Sequence, residues 1–257
     1  MKRRVLAGLL GVVLLAACGT TRSQADQQRD GTLVAGALRS ADLAGMTFKL
    51  DQQLLITGGD IPSGQAVQLH ATASGGVLRD DTARFGYHIQ QGSQASDYDM
   101  RVADGRLYVR KHGASAWKAT PVSNTTTLFP ALRLDVVREA VLLATSVSPS
   151  TLGHIDAGFA RKYAVHPAAS QVEQLLSIPV QGAAEQQFLK SASAEVDVFL
   201  TVPDNTLGRV EVHVSGVDPS NGEQQQIQSS IDLHSGRVSA VEPPADAQLV
   251  SPSDILA

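Results

Sequence analysis

The chain has 257 residues, 43% of them hydrophobic and 18% charged, which excludes a disordered polyelectrolyte and a membrane channel and leaves room for one or two domains. Lys+Arg 21 against Asp+Glu 25 gives a net charge of −4, without the basic excess that nucleic-acid binding demands. A single cysteine excludes an internal disulfide framework and a Cys-rich zinc site, and 4% aromatic residues leave the core to Val, Leu, Ile and Ala.

Lys2, Arg3 and Arg4 precede an apolar run from Val5 to Leu15, about 11 residues. That is long enough for a signal-peptide core and too short to span a hydrocarbon layer of ~30 Å. The run ends in Leu15-Ala16-Ala17-Cys18-Gly19, which resembles a bacterial lipobox. Small residues fit a signal peptidase groove, and the Cys18 thiol accepts a diacylglyceryl group bearing chains such as palmitate. Residues 1–17 therefore read as a lipoprotein signal peptide, and their removal leaves 18 bases against 25 acids, a net of −7. Such a body is held to a bilayer by its acyl chains, at ~0.8 kcal/mol per buried CH₂, and not by electrostatics. Residues 18–30 are polar and without apolar period; they read as the acylated cysteine and a flexible tether. The folded region is expected over 31–245, followed by a tail over 246–257.

Asp30 reads as an N-cap for a helix carrying Leu33, Val34, Ala37, Leu38 and Ala41, with Gly45 as its C-cap. The period then changes to two. Phe48, Leu50, Leu54 and Ile56 mark a first strand, Val67, Leu69, Ala71 and Ala73 a second, and Phe85, Tyr87 and Ile89 a third. One apolar and one polar face per strand indicates an antiparallel sheet. In Tyr98–Arg110, Asp104-Gly105 suits a type I′ turn, which pairs Val102 with Leu107, Met100 with Val109 and Arg101 with Tyr108. Residues 127–146 read as a helix with Pro130 in its first turn. A short strand over Phe159–Val165 and helical stretches near 169–176 and 183–192 follow. Strands resume through Val196–Val202, Val210–Val214 and Ile227–Leu233, and Ser235-Gly236 is expected to close a hairpin setting Leu233 opposite Val238. About ten strands and four helices make an α+β domain with helices layered on one sheet face.

This order of elements, with Val102-Ala103-Asp104-Gly105-Arg106-Leu107-Tyr108, then Trp117, and a terminal Val241-Glu242-Pro243-Pro244, resembles the LppX/LprA/LprF/LprG lipoproteins of the wider LolA/LolB-like group. The resemblance covers roughly residues 31–245. It implies a strongly bent antiparallel half-barrel with helices on its concave face and lipid chains between the layers. Fifteen Arg against six Lys, with abundant Ala, fit a GC-rich actinobacterial source. On this reading Met100, Val102, Leu107 and Val109 line a ligand cavity from the sheet. Val137, Val141 and Ala144 line it from the helix, and Trp117 either gates it or packs in the core.

Catalytic signatures are weak. There is no Gly-x-Ser-x-Gly elbow and no His-Glu-x-x-His, and Gly153-His-Ile-Asp-Ala-Gly158 lacks the Lys-Ser/Thr of a phosphate loop. His154-Ile155-Asp156 is the closest His/carboxylate pair and reads as part of a Gly-rich loop. His70, His88 and His213 fall on polar strand faces, as do Glu195, Asp197 and Glu211, whose charge Arg209 partly compensates. All read as groups facing water. No catalytic residue, cofactor or metal is expected. The resemblance implies a non-enzymatic lipoprotein, anchored on the extracytoplasmic face of the cell membrane, that binds and carries acylated lipids or glycolipids, with an envelope transporter or sensor as partner. The alternative is an interaction module on the same fold that contacts an envelope protein without lipid.

Overall fold

Asp104 and Gly105 take φ values of 52° and 68°, the left-handed pair that a two-residue type I′ turn needs. The turn joins β4 (Gln94–Ala103) to β5 (Arg106–Lys111) in the expected register, Val102 opposite Leu107, Met100 opposite Val109, Arg101 opposite Tyr108. This hairpin belongs to a computed structural model that describes residues 23–79, 81–122, 133–176 and 183–256. Cys18, the preceding signal segment and residues 127–132 of the expected long helix lie outside the described residues.

Ten further strands complete the sheet: β1 (Met46–Thr57), β2 (Val67–Arg79), β3 (Thr82–Gln91), β6 (Lys118–Pro121), β7 (Ser146–Ile155), β8 (Gly158–His166), β9 (Ser193–Thr201), β10 (Leu207–Asp218), β11 (Glu223–Ser235) and β12 (Gln248–Leu249). They form one open sheet in the order β12-β6-β5-β4-β3-β2-β1-β11-β10-β9-β8-β7. Two meanders thus meet where β1 pairs with β11, from Met46 opposite Ser235 to Thr57 opposite Gln224. Every pairing is antiparallel except the short parallel one of β12 with β6. Four helices accompany the sheet: α1 (Gln24–Ser40), α2 (Leu134–Leu142), α3 (Val172–Leu176) and α4 (Ala183–Ser191). The result is an α+β half-barrel with helices against its inner face.

Period two explains the two faces. Phe48, Leu50, Val102, Val109, Val198, Leu200, Val210 and Ile231 all point inward and are buried. They form one apolar cluster with Val34 and Leu38 of α1, Val137 and Val141 of α2, Val172 of α3 and Phe188 of α4. Each fully buried aliphatic side chain contributes about 1.5–3 kcal/mol. The most extensive helix–sheet backbone contacts are those of α1 with β7 and β9 and of α3 and α4 with β10.

Several expectations are corrected. The first helix begins at Gln24, so the part of the expected tether from 24 to 30 is helical. Ser23 is its cap, its Oγ accepting from the Asp26 N–H at 3.2 Å and donating to Asp26 Oδ2 at 2.7 Å. Asp30 lies inside the helix and is buried. Gly45, with φ +76°, turns the chain into β1; the helix is closed by the Ala41 N–H on the Ala37 carbonyl. The helix expected to run to 146 stops at Leu142, because Ser146–Ile155 pairs with β8 as a strand, Val147 opposite Val165 and His154 opposite Phe159. His154 is therefore a strand residue, edge-on to the Phe159 ring at 5.4 Å. The hairpin at Ser235-Gly236 does not form: Leu233 pairs with Phe48. Residues 236–247 instead leave the sheet as an irregular strap, and the expected tail returns to it as β12. The strap crosses the outer face, where an added Cβ at Gly76 would meet Val238 at 2.7 Å and Arg101 donates to the Glu242 carbonyl at 2.8 Å.

Candidate functional site

The sheet brings together seven of the eight apolar residues proposed to face a ligand. Met100, Val102, Leu107 and Val109 share the inner face of β4 and β5 and are at most 7% exposed. Val137 and Val141 on α2 belong to the same cluster, and Ala144, just beyond α2, packs against it half-buried. They pack as a core.

Trp117 departs from this group. It precedes β6 on the outer face, in a small cluster with Ala103, Tyr108 and Ala119. The Arg101 and Arg110 guanidiniums lie 4.8 and 4.7 Å from its ring centroid, close enough for cation–π attraction on each. The indole thus packs in a small apolar cluster of its own, with both guanidiniums against its ring. Of the two readings open from sequence, packing is the one the burial matches, but in a cluster separate from the main core, which the sequence does not show because Trp117 lies just outside the period-two run of β6.

The cavities also lie outside. A trough of about 1060 Å³ runs over the polar face of β1, β2, β3, β4 and β11, with Asp51, Asp97, Asp99, His88 and His112 among its walls. Two His–Asp pairs tie neighbouring strands here, His70 to Asp51 at 2.9 Å and His88 to Asp97 at 2.8 Å, and a third, His112 to Asp99 at 3.1 Å, ties the segment just past β5 to β4. Arg110 Nε also donates to Asp99, at 2.8 Å. Burial works against the Asp99 charge, but the His112 and Arg110 hydrogen bonds outweigh it and hold the carboxyl below the usual carboxylate range. A second hollow of about 540 Å³ lies over β9, β10 and β11 beside Glu195 and His213. A third, of about 350 Å³, is a half-open hollow between the sheet and the strap.

Of the carboxylates expected to face water, Asp197 is buried. Its Oδ2 takes a 2.5 Å contact from Lys162, whose pKa is raised chiefly by that hydrogen bond. Asp197, Glu211 and His213 offer ligand atoms within 4.8 Å of one another, but Lys162 and Arg209 already supply the compensating charge. Arg209 also makes a two-pronged contact to Asp232, at 2.7 and 2.6 Å. These are cross-strand ties between β8, β9, β10 and β11.

The architecture is that of an open, bent antiparallel sheet closed on one side by helices. Among solved structures the chain is similar to LprF from Mycobacterium bovis, at 11% identity and TM-score 0.43 over 87% of this chain and 98% of that one. It is also similar to the lipoprotein LppX from Mycobacterium tuberculosis, at 11% identity and TM-score 0.38 over 80% and 94%. A putative outer membrane lipoprotein-sorting protein domain from Vibrio parahaemolyticus matches at 5% identity and TM-score 0.27 over 81% and 94%. These are likenesses of chain path, at identities too low to transfer any residue's role. No protein-family model and no curated protein matches the sequence. Among the described residues no helix is long and apolar enough to cross a membrane.

Proposed function

We propose that this chain is an envelope lipoprotein, acylated at Cys18, that takes lipid acyl chains between the inner sheet face and the helix layer. The observation that carries this reading is the asymmetry of the seam. The helices approach the backbone of β7, β9 and β10 closely, while β4 and β5 present Met100, Val102, Leu107 and Val109 at the other end of the same apolar cluster. Helices held on one half can part from the other, and acyl chains entering there would remove apolar surface from water at ~25 cal/mol per Å². Passive carriage of an acylated lipid or glycolipid needs no catalytic group. Mass spectrometry of lipids extracted from the natively purified chain tests this: a stoichiometric acylated lipid beyond the Cys18 anchor is expected, and its absence would remove the carrier reading.

A second reading, an interaction module for an envelope protein, is favoured by a different observation. Phe159 and Leu152 on the β7–β8 hairpin are 67% and 54% exposed, an apolar pair left to solvent next to the sheet edge. Lipid-free protein that still captures an envelope partner, with capture lost on Phe159→Ser, would establish that reading in its place.

A further inference from the structure

The hollow of about 350 Å³ under the strap differs from the rest of the molecule in charge. Its lining carries four arginines, Arg84, Arg101, Arg110 and Arg237, against one carboxylate, Asp99, in a protein whose net charge is −4. Asp99 is already engaged by Arg110 and His112. Arg84 and Arg101 stand directly opposite each other on β3 and β4. Like charges facing across a strand pair destabilise a sheet, so this pair weakens the fold unless something negative lies between. Among the described residues no hydrogen bond or ion pair engages the side chain of Arg84 or Arg237, and Arg101 spends one Nη1 donor on the Glu242 carbonyl. Most of the donors therefore remain available. The floor is bare as well. Gly86 has open space where a side chain would project, and its φ is one any residue can adopt. Trp117 anchors Arg101 and Arg110 through its ring, and the strap adds Arg237 to the lining.

We propose that this pocket binds a phosphate group. The guanidinium is a planar fork of N–H donors that cannot lose its charge and matches phosphate oxygens two at a time. Arg84 and Arg237 supply the uncommitted forks, Arg101 a partly committed one, and Arg110 the charge behind them. The phosphate comes either from a soluble phosphate compound or from a phospholipid headgroup, and the site is separate from the apolar seam, so it stands whether or not acyl chains bind there.

Trp117 is the chain's one tryptophan, which makes its fluorescence a direct reporter of the two stacked arginines. The experiment titrates inorganic phosphate into the full chain held in phosphatidylcholine vesicles, with chloride at matched ionic strength as control. It then repeats the reading in vesicles containing phosphatidylglycerol. A saturable change with phosphate is expected, weakened at least tenfold by Arg84→Gln and by Arg237→Gln without loss of thermal stability. Gly86→Val, which fills the floor and leaves every charge in place, should weaken binding equally and guards against a variant that fails to fold. A response to phosphate alone assigns the pocket to soluble phosphates; a response to phosphatidylglycerol vesicles assigns it to a headgroup. No saturable response to either, a response that chloride reproduces, or full binding by all three variants overturns it.

Discussion

The two faces of the sheet have the same strands and opposite economies. On the inner face Val102, Val109, Val198, Leu200 and Val210 meet the helices in one apolar cluster. On the outer face polar pairs tie one strand to the next, as in His70–Asp51, His88–Asp97 and Arg110–Asp99, and the hollows open between them. Exposed or half-exposed pairs of this kind contribute about 0–1 kcal/mol each, so the fold is held from inside. The outer face is thereby left to vary its chemistry at little cost to stability.

Substitutions that cross between the faces test this division most sharply. Gly75→Val should have the largest effect: a Cβ there would meet the Arg84 carbonyl oxygen at 2.1 Å and the Phe85 Cβ at 2.4 Å, and backbone cannot yield as a side chain can. A loss of about 3 kcal/mol or more is expected from overpacking, read as a fall in thermal midpoint. Gly86→Val on the neighbouring strand, in open space, should leave the midpoint nearly unchanged; equal losses would erase the distinction between the faces. Leu200→Ala, in the inner cluster and fully buried, should cost about 2–5 kcal/mol in urea unfolding, whereas Arg84→Gln outside should cost none.

Val141→Trp sharpens the same comparison within the inner face. Val141 is 3% exposed, so a packed core would lose about 1–3 kcal/mol. Lost binding of a fluorescent acyl lipid with stability retained would instead mark a seam that opens. Ala144→Trp, at the half-buried margin, should cost less in unfolding than Val141→Trp. Gly105→Val should lose about 1–3 kcal/mol for forcing a β-branched residue to φ 68°. The smallest effect concerns pH. The Asp99 carboxyl is held below the usual range in the fold, so its pairing contributes above the unfolded value and is lost as pH falls through the depressed one. The gap in thermal midpoint between the native chain and Asp99→Asn should therefore be present at pH 5 and close below about pH 4.

How legible each region was follows from what carries its structure. The β4–β5 hairpin was readable because a local turn, Asp104-Gly105, and a clean period of two both specify it. The start of the first helix was misread because Gln24–Arg29 has no apolar period, and the helix is set there by the Ser23 cap and by helix-forming side chains. β7 was missed because only Val147 and Ile155 of its ten residues are buried, so its sequence shows no alternation. The strap and β12 have no period at all; their place is decided by contacts with Gly76, Arg101 and the β6 edge, far away in sequence. The inward face of Met100, Val102, Leu107 and Val109 was readable by parity, whereas the separate cluster around Trp117 was not, because Trp117 stands just before β6. The arginine pocket could be read only after register was known, since nothing in the sequence says that Arg84 faces Arg101.

The return of β12 alongside β6 has a consequence for self-association. An open sheet has two rims of unmatched peptide groups, each a template for a second chain. On one rim the Gln248 N–H bonds the Trp117 carbonyl and the Val250 N–H the Ala119 carbonyl, at 2.9 Å each, so the β6 template is taken by a strand of the same chain that leaves an edge only two residues long. On the other, β7 carries Pro149, which has no N–H to offer, and its register slips between Pro149 and Leu152. One rim is plugged and the other is spoiled, and stacking of copies rim to rim into a continuous fibre is disfavoured from both ends.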